Sequence, residues 1–265
     1  MLIIGESLNA TRQEVRTAVE NQDVSFVQAL AREQITAGAD MLDVNAAVAG
    51  RDEVEDLPWM VKTVQEVVDF PLVLDSSNID ALVAAMKVHR GRPMINSLTA
   101  KKDSLERLLP VVAGEDCSVI VLCMDDDGIP SDVEGRLNAA RAVVLPLLAA
   151  GKKRSDIYVD PLVMSISVDP SAAKTTLEVI KRISAEEMAG VQITGGLSNV
   201  SFGMPGRKLL NRTFLTMAMT FGLNSCIVDV RDKELMSAIY AARAFIENGG
   251  SRDYLKAFRQ GKLSF

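Results

Sequence analysis

The residues best suited to chemistry in this chain are carboxylates and amides, and they recur at one kind of place. Asp43 with Asn45, then Asp75, Asn96, Asp160, Asn199 and Asp229 each stand at or just past the end of a short apolar run. An ionised carboxylate accepts two parallel N–H bonds, and an amide both donates and accepts. A ring of such groups therefore suits a flat heterocycle rich in N–H donors. Three carboxylates are also a donor set for Mg²⁺ or Ca²⁺. However, Asp75 and Asp160 lie three strands apart, and the interleaved amides suit an organic ring better, so no metal is assigned. Taken singly, each Asp or Asn also matches the cap of the helix that follows it. For Asp229, just before a helix opening at Asp232, that capping role is the expectation. The acidic run Asp125 to Asp127 is read as a solvated turn.

The elements that must position these residues alternate along the chain. The most informative stretch is Val191 to Gly206, VQITGGLSNVSFGMPG. A β-branched run breaks at Gly195-Gly196, delivers Ser198 and Asn199 into a loop, and gives way to a helical pattern from Arg207. The same layout recurs upstream. Strands are expected at Leu2 to Ile4, Met41 to Val44, Leu72 to Leu74, Pro93 to Ile95, Ser118 to Cys123 and Ile157 to Val159, and downstream at Cys226 to Val228. Helical periodicity follows at about Val24–Ala37, Glu53–Val68, Asn78–Val88, Asp103–Ala113, Asp132–Ala150, up to Ile183, and Asp232–Ile246, with a last short helix at Arg252–Phe258. Eight strand-then-helix units without a Pro/Gly/Ser-rich linker predict an α/β protein, a (β/α)8 TIM barrel formed as one domain over residues 1–265. A doubly wound open sheet is the runner-up, weakened because no GxGxxG follows the first strand. In a barrel, polar residues at strand ends share one rim, which is where such folds keep their ligands.

Bulk properties narrow the function further. The net charge of −6 argues against nucleic acid and gives no basic face for a membrane. No run approaches the ~18 apolar residues of a membrane span. The N-terminus turns polar after four residues and reads as a strand, not a signal peptide. The three cysteines, Cys117, Cys123 and Cys226, form no CxxC pair and fit a reducing cytoplasm. Cys123 and Cys226 are expected to be buried. The single histidine, His89, is read as a cation at a helix C-terminus. That scarcity removes Ser-His-Asp and Cys-His catalysis and argues against an imidazole zinc site. Phe214, Met217, Met219 and Phe221 are expected to pack their helix on the barrel, and Trp59 to serve helix packing or a dimer contact.

The motifs, in order, are LIIGESLN, DMLDVNA, LVLDSSN, PMINS, YVDPL, and GLSNVSFG followed by RKLLNRTFLTMAM. Together they cover essentially the whole chain, which resembles the pterin-binding methyltransferases, in particular the methyltetrahydrofolate:corrinoid protein methyltransferases. The resemblance implies a homodimeric TIM barrel holding tetrahydrofolate or 5-methyltetrahydrofolate as substrate at its C-terminal mouth. The cobalamin would be supplied by a partner corrinoid protein docking there. It also implies that Asp75, Asn96 and Asp160 hydrogen-bond the pterin, with Asp160 on the amino-pyrimidinone edge and Asn199, the catalytic residue, near N5. Glu6, Asp43, Asn45 and Ser198 would stand behind these. Arg207 or Lys208 is placed either at the p-aminobenzoyl-glutamate tail or at helix capping.

Dihydropteroate synthases share the cradle. Their Asn-x-Thr-Pro-Asp-Ser-Phe loop and Arg-x-His are missing here, where Glu6-Ser7-Leu8-Asn9-Ala10 and Val228-Asp229-Val230 stand instead. A non-catalytic folate-binding subunit would be expected to lack a cradle position, and none is lost. The segment Phe202 to Gly206 is more apolar than its counterpart in the carbon-fixation enzymes that serve a corrinoid iron–sulfur protein. It therefore points to a methylcorrinoid-to-tetrahydrofolate role in anaerobic demethylation.

Overall fold

The computed structural model describes residues 1–185 and 188–264. Among these residues eight parallel strands run in the order β7-β6-β5-β4-β3-β2-β1-β8. They are β1 (Leu2–Asn9), β2 (Met41–Asn45), β3 (Leu72–Asp75), β4 (Met94–Leu98), β5 (Ser118–Leu122), β6 (Ile157–Asp160), β7 (Gln192–Ile193) and β8 (Ser225–Val228). The helices are α1 (Gln13–Asn21), α2 (Val24–Ala37), α3 (Glu53–Gln65), α4 (Ile79–Val88), α5 (Leu109–Gly114), α6 (Val133–Ala149), α7 (Ala172–Ala185), α8 (Arg207–Phe221), α9 (Lys233–Ile246) and α10 (Gly250–Arg259). This is the (β/α)8 TIM barrel.

Strand alternation makes two cores from one sheet. Outward residues such as Leu42, Leu72, Leu74, Ile95, Val119, Val121 and Val159 pack against Val61, Val64, Leu82, Leu137, Val144 and Ile180 of the surrounding helices. Inward residues Ile4, Met41, Val73, Met94 and Ile120 form a separate cluster inside the barrel, with Leu2, Leu122, Tyr158 and Ile227 against it. Two residues further along the same inward face stand Asp43 on β2, Asp75 on β3, Asn96 on β4 and Asp160 on β6. The lumen thus changes from apolar to polar in one step toward the C-terminal mouth.

The seam between β7 and β8 is closed by side chain as well as backbone. The Ile193 N–H donates to Asn224 Oδ1 at 2.9 Å, and the Asn224 N–H donates to the Ile193 carbonyl at 3.2 Å. The Ile227 N–H reaches the Gly195 carbonyl at 3.1 Å.

Several sequence expectations change here. β1 runs on to Asn9 and does not stop at Ile4. Its register shifts between Gly5 and Leu8, where the Ser7 N–H donates to the buried Gln34 Oε1 at 2.8 Å. The side-chain acceptor stands in for a ladder carbonyl, so a stretch that reads as loop continues as strand. α1 has no counterpart among the expected helices: its apolar stripe is only Val15, Ala18 and Val19 in an otherwise charged segment. The helix expected over Asp103–Ala113 opens as a wide π-type turn over Ser104–Leu108 before α5. Met219 and Phe214 are buried, but Met217 and Phe221 of the same helix face outward. Cys123 and Cys226 are buried, and Trp59 packs against the core.

His89 does not act as a helix-end cation. Its Nε2 accepts the Leu72 N–H at 3.2 Å, and burial lowers its pKa, so the ring is a neutral brace at the foot of β3.

Candidate active site at the C-terminal mouth of the barrel

Helix caps are supplied by other residues than the strand-end acids, which leaves those acids free. Asn78 Oδ1 caps α4 through the Asp80 and Ala81 amides, and Asp232 Oδ1 caps α9 through Glu234 and Leu235. The cap expected of Asp229 is therefore made by Asp232. Asp229 instead holds Arg231 in a two-pronged ion pair, both contacts at 3.0 Å. Asp75, likewise, is not a cap.

Four expected residues come together as two neighbouring hydrogen-bonded pairs. Asp75 Oδ2 accepts from Asn45 Nδ2 at 3.0 Å and from Asn9 Nδ2 at 3.5 Å. Asp43 Oδ1 accepts from Asn96 Nδ2 at 3.4 Å. Burial raises Asp75 to about 6, against the lowering effect of the Asn45 amide. Burial raises Asp43 well above the ordinary carboxylate range, and the neighbouring Asp75 charge adds to it. Asp43 is 3% exposed, and burial together with the nearby Asp75 charge favours its protonated form.

Asp160 stands apart, three strands away, 7% exposed. Its Oδ1 accepts the Leu162 N–H at 2.7 Å. Burial raises it to about 6, although backbone amides of Leu162 and Gly196 and the charge of Arg136 pull the other way. A Cβ at Gly195 would lie 3.3 Å from Asp160 Oδ1, so the strand turns past the carboxylate on a residue without a side chain.

The β8 side of the mouth carries paired charges. Glu6 Oε1 accepts from Arg12 at 3.0 Å, and Arg12 also lies 3.6 Å from Asp229. Burial raises Glu6 in spite of Arg12. Burial would raise Asp229 too, but its bonds from Arg231 prevail and lower it. Glu6, Ser198, Arg207, Lys208, Asp229 and Arg231 line a cavity of about 640 Å³, within the range of small-molecule sites. Arg207 donates to Ser201 Oγ at 3.1 Å and to the Ser198 carbonyl at 2.9 Å, and lies over the Phe202 ring. It braces the 197–201 turn, and Gly206 precedes α8 at the cap position. Asn199 sits exposed on that turn, and its amide makes no side-chain hydrogen bond among the described residues.

Sequence reasoning missed Asn9, Arg12 and Arg231. Asn9 pairs in register with Asn45, a relation visible only once β1 is known to extend that far.

The family model for pterin binding enzymes matches residues 5–229. A methylcorrinoid:tetrahydrofolate methyltransferase from Eubacterium limosum is 35% identical over 99% of this chain and 98% of its own length. The chain belongs to the pterin-binding methyltransferases. Methionine synthase from Mycobacterium leprae is 30% identical over 86% of this methyltransferase, which matches 20% of that larger protein. A dihydropteroate synthase structure from Yersinia pestis, in complex with a pterine-sulfa conjugate, superposes with a TM-score of 0.66 at 17% identity over 92% of each chain. That likeness is one of fold. Within the methyltransferase, no group of three His, Cys, Asp or Glu among the described residues is placed to hold a metal ion. No described helix is long and apolar enough to cross a membrane.

Proposed function

We propose that this methyltransferase passes a methyl group directly between a corrinoid carried by a partner protein and N5 of tetrahydrofolate, running from methylcorrinoid to tetrahydrofolate. The observation that carries the proposal is the polar layer of Asp43, Asp75, Asn96 and Asp160 on the inner face of the mouth. The near full-length likeness to a protein named for this reaction supports it.

In this reading Asp160 accepts the paired N–H donors of the amino-pyrimidinone edge. Asp75 and Asn96 take donors and acceptors further round the ring, while Asp43 and Asn45 hold those two in place. Glu6 and Ser198 border the cavity toward the substrate's tail. Arg207 and Lys208 supply positive charge there for a glutamate carboxylate.

The methyl acceptor is the N5 lone pair. It displaces the methyl from cobalt, both electrons of the broken Co–C bond remain on the metal, and the resulting N5–H⁺ loses its proton to solvent. This chain's part is to fix the pterin so that N5 faces outward and to stabilise the cationic nitrogen. The unpartnered amide of Asn199 suits that stabilisation, because its oxygen can accept from N5–H⁺ as charge develops. The sole imidazole, His89, lies at the opposite end of β3 and braces that strand, away from the mouth. Phe202 stands 66% exposed on the rim, an apolar contact for the incoming partner. The reverse transfer, from methyltetrahydrofolate to a corrinoid iron–sulfur protein, uses the same residues with Asn199 assisting N5 protonation. The proposal also takes residues 1–265 as one domain of a cytoplasmic homodimer.

Anaerobic incubation with methylcobalamin and tetrahydrofolate tests the reaction. Loss of the methylcobalamin spectrum with formation of methyltetrahydrofolate is expected. A protein that neither transfers methyl nor binds either folate would overturn the proposal.

A further inference from the structure

Behind Asp160 lies a buried cation that the reaction as described does not use. Arg136 of α6 is 2% exposed, and among the described residues it forms no ion pair. A guanidinium stays charged in a protein, so burying it requires that its N–H groups be satisfied elsewhere. Here the acceptors are mainly backbone. Nε donates to the Pro130 carbonyl at 2.9 Å. Nη1 reaches the carbonyls of Pro161 at 3.0 Å and Leu162 at 2.8 Å, and Thr176 Oγ1 at 3.3 Å. Two of these four acceptors belong to the residues directly after Asp160.

Leu162 adopts φ 60°, a left-handed conformation that side chains other than glycine rarely take. Its two backbone polar groups are both engaged: the N–H by Asp160 Oδ1 at 2.7 Å, and the C=O by Arg136. The turn is thus gripped from the carboxylate on one side and the guanidinium on the other.

We infer that Arg136 is a positioning residue for Asp160: it clamps the Asp160–Leu162 turn so that the carboxylate faces the mouth, and lends it a buried positive charge from behind. This rests on the reading that Asp160 receives the pterin. The groups facing Asp160 are few. From the turn after β7 come Gly195 and the Gly196 amide, from its own turn the Leu162 amide, and from just past β5 the Cys123 thiol, which burial keeps protonated. Arg136 is the cation facing it among the described residues. Arg136 in turn feels Cys123, Asp160, Asp169 and Asp132.

Two variants and two readouts test the inference. The readouts are the methyltetrahydrofolate dissociation constant across pH, and the titration midpoint of the Asp160 carboxyl carbon by isotope-edited NMR without ligand. Arg136→Gln should weaken binding roughly tenfold at neutral pH and move the Asp160 midpoint upward. Arg136→Lys restores the charge, and should return the midpoint while leaving affinity several-fold down, since a point charge does not reproduce the fork. A folded Arg136→Gln protein with wild-type affinity and midpoint would overturn the inference. If the Gln variant does not fold, the Lys variant decides: wild-type affinity there overturns the clamp, and weakened binding at an unchanged midpoint supports it. Wild-type protein that binds no folate would overturn the function proposed above instead. The carboxyl titration still reads Arg136 in that case, an unmoved midpoint in folded Arg136→Gln contradicting it.

Discussion

The two ends of the barrel lumen are built by the same strands under the same alternation, and they have opposite chemistry. At the lower layer Ile4, Met41, Val73, Met94 and Ile120 fill the interior with apolar side chains. One inward position further on, Asp43, Asp75, Asn96 and Asp160 replace them. The lower layer gains free energy by leaving water. The upper one loses it, because desolvation raises Asp75 and Asp160 to about 6 and raises Asp43 well above the ordinary carboxylate range. The difference teaches that the mouth is shaped for something other than stability. It keeps strong acceptors partly starved of partners, while the layer beneath supplies the packing that holds them.

That comparison breaks or sharpens under substitution, and the largest effect belongs to the lower layer. Met94→Ala removes a side chain that is 1% exposed, and should cost about 3 kcal/mol of folding free energy in a denaturant titration. A loss below about 1 kcal/mol would mean that the layer is not the packed support described. Next comes Asn199→Ala, at a solvent-exposed position of the mouth. It should slow methyl transfer about tenfold or more while changing folate affinity little and leaving the melting temperature alone. Equal transfer rates would remove Asn199 from the reaction.

A smaller effect is the pH dependence of the unliganded fold. Raised carboxyl groups hold their protons more tightly when folded than when unfolded, so between about 4 and about 6 the folded form binds more protons. Stability from Asp75 and Asp160 therefore falls as pH rises through that window and levels off above it. Asp75→Asn should flatten part of this slope in melting curves taken across the window. An unchanged slope would show that Asp75 titrates as in the unfolded chain. Smallest is Asn9→Ala, which withdraws a 3.5 Å contact from Asp75 and should shift folate affinity by about twofold.

Much of this arrangement is legible in the chain itself, because a short apolar run closed by Asp or Asn is a local pattern. Asp43, Asp75, Asn96 and Asp160 are found that way, and their common orientation follows from the period of two. What stays hidden depends on long-range partners. The extension of β1 to Asn9 relies on Gln34 of α2 accepting the Ser7 N–H, which no local pattern reveals. Asn9 and Arg12 are missed with it. Asp229 looks like a cap because an Asp before a helix usually is one, and only the geometry shows Asp232 in that role. His89 reads as a helix-end charge until Leu72, on a neighbouring strand, donates to its ring. Arg136 is indistinguishable from any helix-surface arginine until Pro161 and Leu162 are seen against it.

The most direct test of the account is a paired measurement on Asp160→Asn: melting temperature without ligand at neutral pH, and affinity for methyltetrahydrofolate. The uncharged amide escapes the desolvation that the carboxylate suffers, so the melting temperature should rise by about 3–6 °C. The amide accepts one bond where the pterin edge offers two, so affinity should fall at least about thirtyfold. Greater stability with lost binding is the predicted pair. A variant that binds folate like the wild type would contradict the claim that this layer is the pterin site. One that melts lower would contradict the claim that the site is held at the expense of the fold.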